Sequence, residues 1–172
     1  MIRRANIRIL WIMIILAGCR PEIGAYHWQG NTMGTFWKVT ITARLSRADY
    51  EKVQTTIDST LTAVNSQVNN WDPESDISRF NAISDTDPVP VSEGLFTVML
   101  TARKIHVRSG GALDVTIAPL VNWYGFGPGK GKRRMPDAGE LDSLRTLIGM
   151  DKLQILDKRL RKRQPYVTIE PA

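Results

Sequence analysis

The chain has 172 residues, a formal net charge of +6, 42% hydrophobic and 23% charged residues, one cysteine and two histidines. That balance supplies the apolar material for one folded domain and excludes a chain kept disordered by low hydrophobicity. A lone cysteine excludes an internal disulfide framework, and without further thiols the distant His27 and His106 do not make a zinc site.

Residues 1–18 read as a targeting segment. Arg3, Arg4 and Arg8 form a basic leader ahead of an apolar run over residues 9–16. That run is far shorter than the roughly 20 residues a membrane-spanning helix needs. It ends in Leu16-Ala17-Gly18-Cys19, which resembles a bacterial lipobox, so Cys19 is the expected lipidation site and acylated N-terminus. Two or more acyl chains hold a protein firmly at a membrane. Loss of the three leader arginines lowers the charge from +6 to +3. The remaining basic clusters, Lys130, Lys132, Arg133 and Arg134, then Lys158, Arg159, Arg161, Lys162 and Arg163, are expected as solvated loop faces. Nucleic acid is not an expected partner of an exported, lipid-tethered chain.

Residues 19–31 read as a polar tether and residues 32–172 as the domain. Over 32–43, Trp37, Val39 and Ile41 alternate with Lys38, Thr40 and Thr42, the period of a half-buried strand. Ser46 then caps a helix, with Asp49 at capping-box spacing, and Val53, Ile57, Leu61, Val64 and Val68 form its apolar stripe. A turn and a short helix fill 69–81, and Asp85 to Pro88 is loop chemistry. A second long helix begins after Ser92, runs to about Val107 with Leu95, Val98, Met99, Ala102 and Ile105 on one face, and stops at Gly110-Gly111. A glycine-rich basic loop spans 125–134. Asp137 with Glu140 opens a further helix that Gly149 closes, and 153–156 is expected to pair with 166–170 as a hairpin. Strands and helices interleave without a βαβ rhythm, so the expected class is α+β.

Several motifs fail on spacing. Asp72, Glu74 and Asp76 alternate like calcium-loop ligands, yet Ile77 stands at the sixth position and Ile83 at the twelfth, where glycine and glutamate belong. Gly125, Gly127, Gly129 and Gly131 fit neither a dinucleotide-binding nor a P-loop register. Three other segments are informative together. They are Met33-Gly34-Thr35, then Trp71 ahead of Ser75-Asp76-Ile77-Ser78-Arg79-Phe80-Asn81, then Ser109 to Pro128 with its Gly111-Ala112-Leu113-Asp114 turn, Thr116, Pro119 and Gly125-Phe126. In content and order they resemble the signature of the FAD:protein FMN transferases, the ApbE-type flavin transferase lipoproteins.

The resemblance implies an ApbE-like, T-fold-related α+β flavin transferase domain of which this chain is the N-terminal portion. It implies FAD as substrate and transfer of FMN to a threonine hydroxyl of a target flavoprotein, with AMP released. It assigns flavin or adenosine contacts to Met33, Trp71, Ala112, Leu113 and Asp114. A methionine offers a deformable contact, an indole a stacking face and a carboxylate an acceptor for hydroxyl or amine. For Asp114 ligand contact is preferred to a turn or cap role bonding its own backbone, whereas Arg79 equally binds pyrophosphate or pins its own short helix. The resemblance also implies Mg2+, with its ligands beyond residue 172, and the periplasmic side of the cell inner membrane. A non-catalytic, membrane-anchored lipoprotein with a residual flavin-binding surface is the alternative.

Overall fold

The computed structural model describes residues 24–129 and 131–171; the leader and Cys19 lie outside them. The described chain is an α+β fold, as expected, built as two packing regions. The first is a hairpin of β1 (Ala25–Thr32) and β2 (Thr35–Thr42) laid against α1 (Arg47–Val68). The hairpin corrects the tether reading of 19–31 over residues 25–31, while 19–23 lie outside the described residues. β1 pairs along its whole length with β2, in the register Tyr26↔Ile41, Trp28↔Val39 and Gly30↔Trp37. Polar residues at alternate positions hid a strand whose other face carries Tyr26 and Trp28. These rings meet Tyr50 of α1 at centroid distances of 5.9 and 4.9 Å. Gly30 is required because Trp37 lies across it: a Cβ there would sit 2.9 Å from the indole nitrogen. The two-residue turn is Met33-Gly34, with φ of 46° and 74°, the left-handed pair that tight hairpins prefer.

α1 starts as the sequence predicts. Ser46 and Asp49 form the reciprocal capping box, with Asp49 N–H donating to Ser46 Oγ at 3.1 Å. The second region begins with α2 (Asp76–Ala82), capped by the buried Ser75, and α3 (Glu93–Arg108), capped by Ser92. Leu95, Met99 and Ala102 of α3 pack on Ile77 and Phe80 of α2. A 3₁₀ turn at Val115–Ile117 leads into α4 (Ala118–Tyr124), and α5 (Ala138–Arg145) opens with a second capping box, Asp137 with Glu140.

A three-stranded sheet completes this region, in the order β3 (Val89–Pro90), β5 (Arg159–Lys162), β4 (Leu153–Leu156). Here a second correction arises. The strand paired with β4 is the basic run 159–162 itself, through a two-residue turn at Asp157-Lys158, and not 166–170. Alternation decides it: Leu160 and Lys162 point inward while Arg159 and Arg161 face solvent. Val167 and Ile169 are fully buried all the same, in an extended segment outside the ladders. Lys162, expected on a solvated face, is 1% exposed.

Candidate functional site

The turn between α1 and α2 is built from its own side chains. Ser75 Oγ donates to the Asn69 carbonyl at 2.7 Å and accepts from Ser78 N–H at 3.2 Å, and Ser78 Oγ reaches the Asn70 carbonyl at 3.3 Å. Arg79 pairs with Asp76 and with the Glu74 carbonyl on the surface, so it pins its own helix. Asn81 holds a distant segment: its amide donates to the Ile169 carbonyl at 3.0 Å and accepts Ile169 N–H at 2.8 Å. That pair fixes Thr168 beside α2.

Between these elements lies an open cavity of about 460 Å³ walled by Asn70, Trp71, Ser78, Asn81, Asn122 and Thr168, with Pro73, Ala82 and Pro128. Trp71 is 57% exposed, leaving indole surface free for stacking. Among the described residues, Asn70 Oδ1 and Asn122 Oδ1 are buried acceptors without a donor. An orphaned buried carbonyl costs about 1–3 kcal/mol, and neither oxygen is exposed to the cavity. Asn122 is boxed in by its own loop: a Cβ on Gly127 would stand 2.0 Å from Oδ1.

One family model, that of the ApbE family, matches residues 33–171. The chain belongs to the ApbE family. Two FAD:protein FMN transferases, from Vibrio cholerae and Klebsiella pneumoniae, are 35% and 32% identical over 158 and 161 residues. The matches cover 92% and 90% of this chain but 47% and 46% of the relatives. The solved flavin transferase ApbE of Vibrio cholerae superposes with a TM-score of 0.81 at 34% identity, covering 86% of this chain and 48% of that one. The apo flavinyl transferase ApbE of Pseudomonas stutzeri gives 0.75 at 26% identity, with 86% and 47% covered. The chain spans about half the length of the curated relatives it matches.

Within this ApbE fold the five residues assigned from sequence separate. Trp71 lines the cavity. Met33 is not on its wall but occupies the hairpin turn at the same end of α1. Asn65 donates to Thr32 Oγ1 at 2.9 Å and accepts from Asn69 at 3.1 Å, and Asn69 Oδ1 accepts Trp71 N–H at 3.0 Å. That relay ties the turn to the Trp71 rim. Ala112, Leu113 and Asp114 also lie off the cavity wall. Ala112 is exposed, and the Leu113 carbonyl accepts from His106 Nδ1 at 2.6 Å. Asp114 works as a cap: Oδ1 accepts Thr116 N–H at 2.8 Å and Thr116 Oγ1 at 2.5 Å, and Oδ2 accepts Met150 N–H at 3.2 Å. Ser78, Asn81, Asn122 and Thr168 were not assigned from sequence, and only the motif membership of Ser78, Asn81 and Asn122 could have pointed to them.

Two charged groups, one bonded to Asn81 and one on the surface after α4, are perturbed. Lys162 donates to the Asn81 carbonyl at 3.1 Å and to the Ile83 carbonyl, with its ammonium 5.0 Å from the Phe80 ring centroid. Burial lowers its pKa to about 8. Glu140 accepts from Arg134 at 2.7 Å and from Lys132 at 3.1 Å; chiefly the Arg134 hydrogen bond lowers its pKa to about 2. Among the described residues, no group of three or more His, Cys, Asp or Glu side chains is placed to hold a metal ion. The cavity wall carries no carboxylate, and no step is assigned to a metal.

Proposed function

We propose that this chain carries part of the FAD site of a flavin transferase, with the flavin nucleotide seated in the cavity between α2, α4 and residue 168. The observation that carries this reading is convergence. Trp71, the Ser78 to Asn81 block and the Asn122 to Pro128 part of the signature are distant in sequence, yet they wall one cavity. Trp71 supplies the face on which a ring stacks. Met33, from the adjoining turn, and the 112–114 turn complete the contacts outside the cavity proper.

In the reaction proposed, a threonine Oγ of the acceptor flavoprotein attacks the FMN phosphorus of FAD. The new P–O bond forms as the bond to the bridging oxygen breaks, AMP leaves with the electron pair, and the threonine proton passes to a base. No described side chain is assigned as that base. Lipidation at Cys19 and action on the periplasmic side of the cell inner membrane belong to the same proposal.

The test is an equilibrium FAD titration of the full chain, followed by flavin fluorescence with and without magnesium. Saturable binding is expected, weakened about tenfold by Trp71→Ala, because base–aromatic stacking contributes about 1–3 kcal/mol. A folded chain that takes up no FAD, or a Trp71→Ala chain that binds it as well, overturns the reading.

A further inference from the structure

The signature turn that follows α3 hangs between two anchors. Its far end is fixed by Asp114, whose carboxylate accepts from Thr116 and Met150, and by Thr116 Oγ1, which accepts Gly149 N–H at 2.6 Å. Its near end is held by one residue, His106, in the last turn of α3. The His106 carbonyl accepts Gly111 N–H at 2.8 Å and Ser109 Oγ at 3.2 Å, and Nδ1 meets the Leu113 carbonyl at 2.6 Å. A carbonyl oxygen only accepts, so Nδ1 carries the proton; the neutral Nδ1–H tautomer and the imidazolium both do. Ser109 Oγ in turn accepts Leu113 N–H at 3.3 Å. The frame behind His106 is firm, because Leu95, Met99 and Ala102 of the same helix sit in the core. The turn itself has no such burial. Residues 109–113 are exposed, and Gly110 and Gly111 adopt φ of 63° and 91°, so hydrogen bonds and not packing set its shape. A Cβ at Gly111 would lie 3.7 Å from His106 Cε1, which places the imidazole against the turn.

We propose that His106 is a positioning residue for the flavin nucleotide: its imidazole latches the 109–114 turn to α3 and so sets where Leu113 and Asp114 stand. The proposal rests on the reading above in which the 112–114 turn contacts FAD. The main-chain bonds at His106 are those any residue near a helix end can make. The bond to Leu113 is different. It spans seven residues and needs a short, stiff side chain with a donor at the δ position. Asparagine carries an N–H donor at that position, and alanine carries none.

The experiment compares the full chain with His106→Ala and His106→Asn. It reads amide exchange at residues 111–114 without flavin, and FAD affinity by flavin fluorescence. For His106→Ala, cooperative unfolding should be retained while exchange at Gly111 and Leu113 quickens and the Kd for FAD rises, each about fivefold, the order of one lost hydrogen bond. His106→Asn should bring both values back to within about twofold of the native chain, because the donor is restored. Native exchange and native affinity in His106→Ala overturn the proposal. So does faster exchange with FAD affinity unchanged, which would leave the latch a structural detail, and so does a loss that His106→Asn fails to rescue. The two readings fail separately. A native chain that takes up no FAD sinks the FAD site and this proposal with it, whereas uptake that His106→Ala leaves undiminished sinks the His106 proposal alone.

Discussion

The two packing regions differ in how far each closes on itself. Around α2 and α3, residues from six helical and strand elements and the 167–169 segment converge until Ile77, Leu95, Met99, Leu160, Val167 and Ile169 are all at 0% exposure. Against α1, a helix three times as long as α2, the hairpin buries one side chain, Trp28, which keeps 5% exposure. The apolar residues are comparable in kind, so composition does not explain the difference. What differs is the number of layers: helices and sheet cover each other in one region, while in the other a two-stranded sheet meets one side of one helix. Stability should therefore be concentrated in residues 75–171.

Paired truncations break or sharpen that contrast most directly. Phe80→Ala removes a ring that is 1% exposed and should cost about 3–5 kcal/mol in urea denaturation. Leu61→Ala, on the half-buried stripe of α1, should cost about 1 kcal/mol or less. Equal costs would mean that the hairpin and α1 are covered in solution, and the contrast would fail.

The division was partly legible in the sequence. Capping boxes at Ser46 and Asp137, the α3 stripe and the stop at Gly110-Gly111 are local signals, and local physics honours them. The misses are all tertiary. Residues 25–31 look polar until Tyr26 and Trp28 find Tyr50, and 159–163 look like a basic turn until Lys162 is drawn under α2. The site divides the same way. Trp71 was named from its motif and lines the candidate cavity, whereas Thr168 is brought there by the Asn81–Ile169 pairing across 88 residues.

Lys162 tests the closed region by pH. Its pKa of about 8 in the folded chain lies below the ordinary 10.5, so between these values the unfolded chain holds more protons. Stability should therefore rise with pH across that window, the cost of burying the charge being present below pH 8 and relieved above 10.5. The neutral amine retains two N–H donors for the Asn81 and Ile83 carbonyls, so deprotonation does not break the cap. Lys162→Met should lose about 1–3 kcal/mol at pH 7 by orphaning both carbonyls. The difference between the two proteins, followed by thermal denaturation, should widen from pH 8 to 10.5; a constant difference would mean the ammonium is solvated.

The smallest effect belongs to the loop after α4, where Glu140 gathers Arg134 and Lys132. Lys132 Nζ stands 4.1 Å from the Trp123 ring centroid, and Trp123 Nε1 donates to the Arg134 carbonyl at 2.9 Å. Glu140 is held at a pKa of about 2, below its ordinary 4.5, so its contribution is complete above 4.5 and fades as pH falls toward 2. The cluster is solvent-exposed, and screening keeps that contribution slight. What should change is order in the loop. With the other indoles subtracted through a Trp123→Phe control, Trp123 emission should shift as pH falls from 4.5 to 2, and Glu140→Gln should show the shifted value already at pH 7. Emission that is flat over this range in the native chain, or unchanged by Glu140→Gln, would mean the loop is held by Trp123 and the backbone alone, and that its charges add nothing to the closed region beside it.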